Sequence, residues 1–174
     1  MARGLLWIGV GLLLSGCATM GGEKGSLSGE ATLRDKDNKQ VGVATFIQTS
    51  DGVRIAVTGY RLPPGTHGMH IHAAGNCDPP GFDTAGGHFN PTGRQHGRLN
   101  PAGPHAGDLP NLVVAPSGGG EVDITTKAVT LDSGPTSLFG PGGTALVIHA
   151  TADDEKTDPT GNSGARIACG VLTK

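Results

Sequence analysis

The chain has 174 residues, enough for one domain with a substantial core and too few for two large ones. Glycine (31) and proline (12) make up about a quarter of it, a proportion near that of disordered chains, but 36% of residues are hydrophobic and alternate with polar ones in short runs, which excludes disorder. A formal charge of -2 and an aromatic content of 3% exclude a polybasic nucleic-acid binder and a base-stacking platform.

Residues 1–16 read as an address. Met1-Ala2-Arg3 gives a short positive start, and Gly4 to Leu14 is an apolar run too short to span a bilayer, which takes roughly 20 residues. Its form is that of a secretory leader. The run ends in Leu14-Ser15-Gly16-Cys17, which resembles the bacterial lipoprotein signal, cleaved before a cysteine that is then acylated. The plainer alternative is an ordinary leader with an incidental cysteine. Residues 17–26 are small and polar and read as a lipidated tether. The expected location is therefore the bacterial cell envelope, exported and anchored through lipid on Cys17, on the periplasmic side and with the outer membrane favoured. With Cys17 so used, Cys77 and Cys169 remain as a pair, joined in an oxidising compartment or buried as two thiols.

From Leu27 onward the period is two. Leu27, Gly29, Ala31 and Leu33 alternate with polar residues, and residues 35–39 turn. Val41, Val43, Thr45 and Ile47 take alternate positions of a second strand, and Val53, Ile55 and Val57 those of a third. Further strands are expected at 67–72, 112–115, 121–131, 145–150 and 167–172. Eight short strands between Gly, Pro and Asp turns predict an all-β fold, an antiparallel sandwich or Greek-key barrel over 27–174. No stretch carries an apolar helical face as long as three turns. The exception to the strand pattern is residues 73–111, a long loop that in a compact domain is expected to be functional. Such a loop, short of apolar surface to bury, is expected to be organised by metal coordination and a disulfide.

Six of the seven histidines lie between 67 and 105. His70-Ile71-His72 on a strand puts both imidazoles on one face and Met69 and Ile71 on the other. In the late strand Leu146 and Ile148 take one face and His149 the other. An imidazole-only set suits copper or zinc, and the loop adds His88, His96, His105 and Asp108, three nitrogens and a carboxylate as in a four-coordinate zinc site.

Gly68-Met69-His70-Ile71-His72, His88-Phe89-Asn90-Pro91, His96-Gly97, His105-Ala106-Gly107-Asp108-Leu109, Val147-Ile148-His149 and Gly164-Ala165-Arg166-Ile167-Ala168-Cys169-Gly170 together resemble the copper/zinc superoxide dismutases, in order and over about residues 27–174. The resemblance implies an eight-stranded Greek-key β-barrel. It implies copper on His70, His72, His88 and His149 and zinc on His88, His96, His105 and Asp108, with His88 bridging the two. Asp153 then matches the carboxylate that links a copper histidine to a zinc histidine, Cys77 and Cys169 match the intrasubunit disulfide, and Arg166 matches the residue that guides the anion. His67 matches a histidine outside the metal set and is expected to be structural. The implied activity is dismutation of superoxide to dioxygen and hydrogen peroxide, protecting the envelope. The implied substrate is superoxide, the membrane is met through the lipid on Cys17, monomer and homodimer both stay open, and no nucleic acid is expected. A metal storage or delivery module on the same barrel is the rival reading.

Overall fold

The computed structural model describes Met1 and residues 26–174. The expectations for the leader, Cys17 and nearly all of the tether lie outside the described residues.

The predicted strand regions are all present. β1 (Ser28–Arg34), β2 (Gln40–Thr49) and β3 (Gly52–Gly59) form a meander. β4 (Gly65–His67) and β5 (Met69–His72) follow, then the long loop, which holds a single 3₁₀ turn at Asp83–Ala85. β6 (Leu112–Val114), β7 (Gly120–Thr126), β8 (Ala145–His149) and β9 (Arg166–Val171) complete the chain. The region expected as one strand over 67–72 is divided at Gly68. The Gly68 carbonyl still accepts from His149 N of β8 at 2.9 Å, but its amide donates at 2.8 Å to Thr151 O, beyond the end of that strand. The region 121–131 is strand only as far as Thr126.

One antiparallel sheet has the order β5-β8-β9-β1-β2-β3-β7, and a second ladder pairs β4 with β6. β4 leads through Gly68 into β5, and β6 turns at Ala115–Gly119 into β7, so the short ladder joins the two edges of the large sheet and closes it into a barrel. The neighbours β3-β7, β9-β1 and β5-β8 are not consecutive, which is Greek-key connectivity.

Inward residues of β1 and β3 are those expected, among them Ala31, Leu33, Val53, Ile55 and Val57. In β2 the face is reversed over most of its length: Ala44 and Phe46 point inward, whereas Val43 and Ile47 are exposed and only Val41 keeps its expected place. The register explains it. Gly29 lies opposite Phe46, Ala31 opposite Ala44 and Leu33 opposite Gly42, so each of the two large side chains faces a glycine, and a slip of one residue would turn the Phe46 ring out to water.

The long loop buries more than its composition led us to expect. Ala106 and Leu109 enter the barrel core, while Phe82 and Ala85 pack with Ala145, Val147 and Cys169 in a second cluster on the outer side of β8 and β9. The Cys77–Cys169 disulfide is present and ties the start of the loop to β9 across 92 residues.

Candidate metal centre

The free edge of β5 is where the site is assembled. Unpaired edge groups need partners, and here the loop supplies them. Phe89 N donates to Ile71 O, Ile71 N to Gly107 O and Leu109 N to Met69 O, at 2.8–3.3 Å. These bonds set His88 beside His72 and Asp108 beside His70 as isolated bridges. Met69 and Ile71 are in the barrel core, so His70 and His72 point outward under the loop, and both are buried. Leu146 and Ile148 of β8 are in the core, so alternation puts His149 on the same outward side.

The four side chains His70, His72, His88 and His149 bring ligand atoms within 4.8 Å of one another. In three of them the outer nitrogen has an acceptor: His70 Nε2 donates to Asp153 Oδ2 at 2.7 Å, His72 Nδ1 to Gly86 O at 2.9 Å and His149 Nδ1 to Gly164 O at 3.1 Å. Each of those bonds fixes the tautomer and leaves a lone pair on the other nitrogen. The nitrogens left over are His70 Nδ1, His72 Nε2 and His149 Nε2. With His88 Nε2 they are the buried side-chain nitrogens or oxygens that have no hydrogen-bond partner among the described residues. Buried lone pairs facing one another are costly unless a cation lies among them. Imidazole donors of this kind fit copper.

On the far side of His88 a second group converges on Asp108. Its Oδ1 lies 3.1 Å from His88 Nδ1, 3.0 Å from His96 Nδ1 and 3.3 Å from His105 Nδ1, and the His88 and His105 Nδ1 atoms are 3.4 Å apart. Tetrahedral zinc with bonds of about 2.0–2.1 Å has ligand atoms about 3.3 Å apart, so these spacings fit zinc. A set of His70, His88, His96 and Asp108 can also be drawn, but His70 Nε2 is held by Asp153 and its Nδ1 belongs to the first group. His105 is therefore the better fourth member. Asp153 joins the two groups, with Oδ2 on His70 and Oδ1 3.0 Å from His96 Nε2.

Charge follows this geometry. Burial pushes His70 down to about 4, His72 to about 2 and His149 to about 3, so all three are neutral and able to ligate. Burial opposes the charged form of His96 as well, but hydrogen bonds to Asp108 and Asp153 outweigh it and lift that imidazole to about 9. Burial would raise both carboxyls, yet bonds from His88 and His96 hold Asp108, and from His70 and His96 hold Asp153, well below the usual carboxylate range.

His67 stands apart from both groups, as expected. Its two nitrogens lie 2.8 Å from His149 O and 2.8 Å from Pro63 O. Arg166, first residue of β9, donates from Nη1 to Phe82 O at 2.5 Å and from Nη2 to Gly86 O at 2.7 Å. It lines a pocket of about 460 Å³ together with His72, His88, His149 and Thr160. Gly86 O thus accepts from both His72 and Arg166. Sequence reading missed the carbonyls of Phe82, Gly86 and Gly164, since every residue has one, and missed Asp158, which stands in a turn-like Thr157-Asp158-Pro159 and accepts the His96 amide on Oδ1 at 2.5 Å.

The Copper/zinc superoxide dismutase (SODC) family profile matches residues 40–172. A Superoxide dismutase [Cu-Zn] of Aquifex aeolicus is 49% identical over 148 residues, 84% of this chain and 86% of that protein. The Superoxide dismutase [Cu-Zn] of Deinococcus radiodurans is 39% identical over 180 aligned positions, 95% of this chain and 92% of that protein. Among solved structures, a double mutant of a SOD-like protein from Bacillus subtilis superposes with a TM-score of 0.80 at 41% identity, over 83% of this chain and 97% of the other.

Proposed function

The chain belongs to the copper/zinc superoxide dismutase family, and from that premise we propose that it consumes two superoxide anions and two protons per cycle and releases dioxygen and hydrogen peroxide. His70, His72, His88 and His149 hold copper, and His88, His96, His105 and Asp108 hold zinc. The observation that carries this reading is the convergence of the partnerless nitrogens His70 Nδ1, His72 Nε2, His88 Nε2 and His149 Nε2 beside a pocket that Arg166 lines. Copper bound there supplies a one-electron couple, and zinc supplies a fixed positive charge with no redox step of its own.

The chain's own residues do the rest. Arg166 presents a guanidinium to the pocket, attracting a monoanion. Two of its donors are committed to Phe82 O and Gly86 O, which fixes its place and leaves others for the substrate. His88 reaches the first group through Nε2 and the second through Nδ1, so Nε2 is the atom placed to hand a proton to the reduced anion while Nδ1 stays engaged. Asp153 keeps His70 and His96 in the tautomers that ligation requires.

The protein acts in the bacterial envelope, exported and held at the membrane by acyl chains on Cys17. This is supported by the Leu14-Ser15-Gly16-Cys17 signal and by the Cys77–Cys169 disulfide, which suits an oxidising compartment. There it removes superoxide that reaches the envelope, alone or as a homodimer. Metal carriage without turnover is the second reading, since the same buried partnerless nitrogens would hold a metal whether or not superoxide is turned over. Superoxide loss measured on the purified chain, with copper and zinc quantified in the same sample, separates them. Activity in proportion to bound copper is expected; both metals bound without activity would leave carriage.

A further inference from the structure

Five of the six histidines in the two metal groups have both nitrogens accounted for. His70 and His96 donate from Nε2 to Asp153, His72 and His149 donate from Nδ1 to backbone carbonyls, and His88 faces both groups. His105 is the exception. Its Nδ1 is turned toward Asp108 and His88, and its Nε2 points away from both. The acid that faces this outer nitrogen is Asp158, whose Oδ1 lies 3.7 Å from it.

The Asp158 carboxylate is not there by chance of a wandering side chain. The same Oδ1 accepts the backbone amide of His96 at 2.5 Å, which pins the carboxylate against the zinc-binding loop from across 62 residues of sequence. Among the described residues no lysine or arginine lies within 4.0 Å of the carboxylate, so its charge is not spent on one, and the His105 ring is the basic side chain it meets. Asp153 and Asp158 sit on one connecting segment between β8 and β9; Asp153 is in hydrogen-bond contact with the outer nitrogen of His96 at 3.0 Å, and Asp158 faces that of His105 as a charge at 3.7 Å.

We infer that Asp158 is a positioning residue of the zinc site: it draws the proton of His105 to Nε2, keeps the Nδ1 lone pair toward the metal and raises its basicity, as Asp153 does for His96. The inference rests on His105 being a zinc ligand, as read above. Metal-bound histidines usually give their outer N–H to an acceptor, and loss of that acceptor costs about 10- to 100-fold in metal affinity. The Asp158 side chain is 47% exposed, so replacing it leaves no buried hole and the variants should fold.

The test is titration of the metal-free, disulfide-intact protein with zinc against a chromophoric chelator, with copper titrated separately. Asp158→Asn keeps an oxygen for the His96 amide but loses the charge. It should weaken zinc by about 10-fold or more and leave copper affinity unchanged, whereas Asp158→Glu should recover part of the loss. Zinc affinity in Asp158→Asn within twofold of wild type overturns the inference, and so does a weakening by Asp158→Ala alone, which would mean that only the His96 amide is served. Equal weakening of copper and zinc also overturns it, as general damage to the loop. His105→Ala is run alongside. If that variant loses zinc while Asp158→Asn does not, this inference fails and the ligand assignment stands. If His105→Ala binds zinc normally, both fail.

Discussion

His88 is the residue on which the two metal groups depend together, because its Nε2 faces one and its Nδ1 lies 3.1 Å from the Asp108 carboxylate of the other. His96 serves one group alone, through Nδ1, while its Nε2 is engaged by Asp153. Substitution should separate them. His88→Ala is expected to weaken both copper and zinc, and His96→Ala to weaken zinc first and leave copper partly in place, as read by titrating each metal into the metal-free variants. Loss of zinc alone in both variants would put His88 outside the copper set. A glycine sets a similar limit nearby. Gly161 has φ +62°, and a Cβ there would run into the Asp153 carboxylate and approach His96 Nε2 to 2.6 Å. The close seating of Asp153 between His70 and His96 thus depends on a residue without a side chain.

At the scale of elements, a disulfide and an edge strand do the organising. Cys77–Cys169 joins the loop to β9, and Phe82 packs in the same cluster while its carbonyl holds Arg166. Cys77→Ser should lower stability by about 2–5 kcal/mol, the range for a native bridge in a small secreted domain, and should loosen the cluster behind Arg166. Denaturant unfolding of both forms checks this; unchanged stability would mean that the apolar cluster alone holds the loop. The strands were legible because alternation in β1 and β3 has one reading, with Leu33, Ile55 and Val57 on a single face. β2 was not, because Val41, Val43 and Ile47 compete with Ala44 and Phe46 for the inward face, and only the partner's register decides. The break at Gly68 goes with the bond of its amide to Thr151, some eighty residues away, which no local pattern reveals. The side chains able to hold metal were legible by type, since clustered histidines with an H-x-H pair have few other uses. What was hidden is what orients them: carbonyls, which leave no mark in a sequence, and Asp158, whose neighbours read as an ordinary turn.

For the whole molecule, the buried histidines set how metal-free protein responds to pH. His70, His72 and His149 fall from 6.5 to about 4, 2 and 3 through burial, so below 6.5 the unfolded chain binds protons that the folded chain refuses, and stability drops as pH falls. His96 acts in the opposite sense. Held at about 9, its contribution is full below 6.5 and is lost as pH rises from there through 9. Metal-free protein should therefore be most stable near pH 6.5, with the steeper decline on the acid side, and Tm by calorimetry at about pH 5, 6.5 and 9 reads it. A Tm that rises steadily into acid would contradict the neutral burial of these rings. The proposed anchor is a second molecular property: Cys17→Ser should release the protein to the soluble fraction or leave an uncleaved precursor, and wild type without lipid by mass spectrometry would refute the lipid reading. The third is charge. The chain carries -2 in total, which repels superoxide, yet Arg166 offers a guanidinium at the pocket. A local field of this kind changes encounter rates by about 10- to 1000-fold and is screened over about 10 Å at 0.1 M salt. The deciding measurement is the rate constant for superoxide with both metals bound, in wild type and Arg166→Glu, as ionic strength is raised. The copper pocket beside Arg166 being the site of turnover, Arg166→Glu should be slower by roughly tenfold or more at low salt, the wild-type rate should fall with salt despite the negative total, and the gap should narrow. Equal rates at low salt, or a wild-type rate that climbs with salt as the total charge alone dictates, would contradict it.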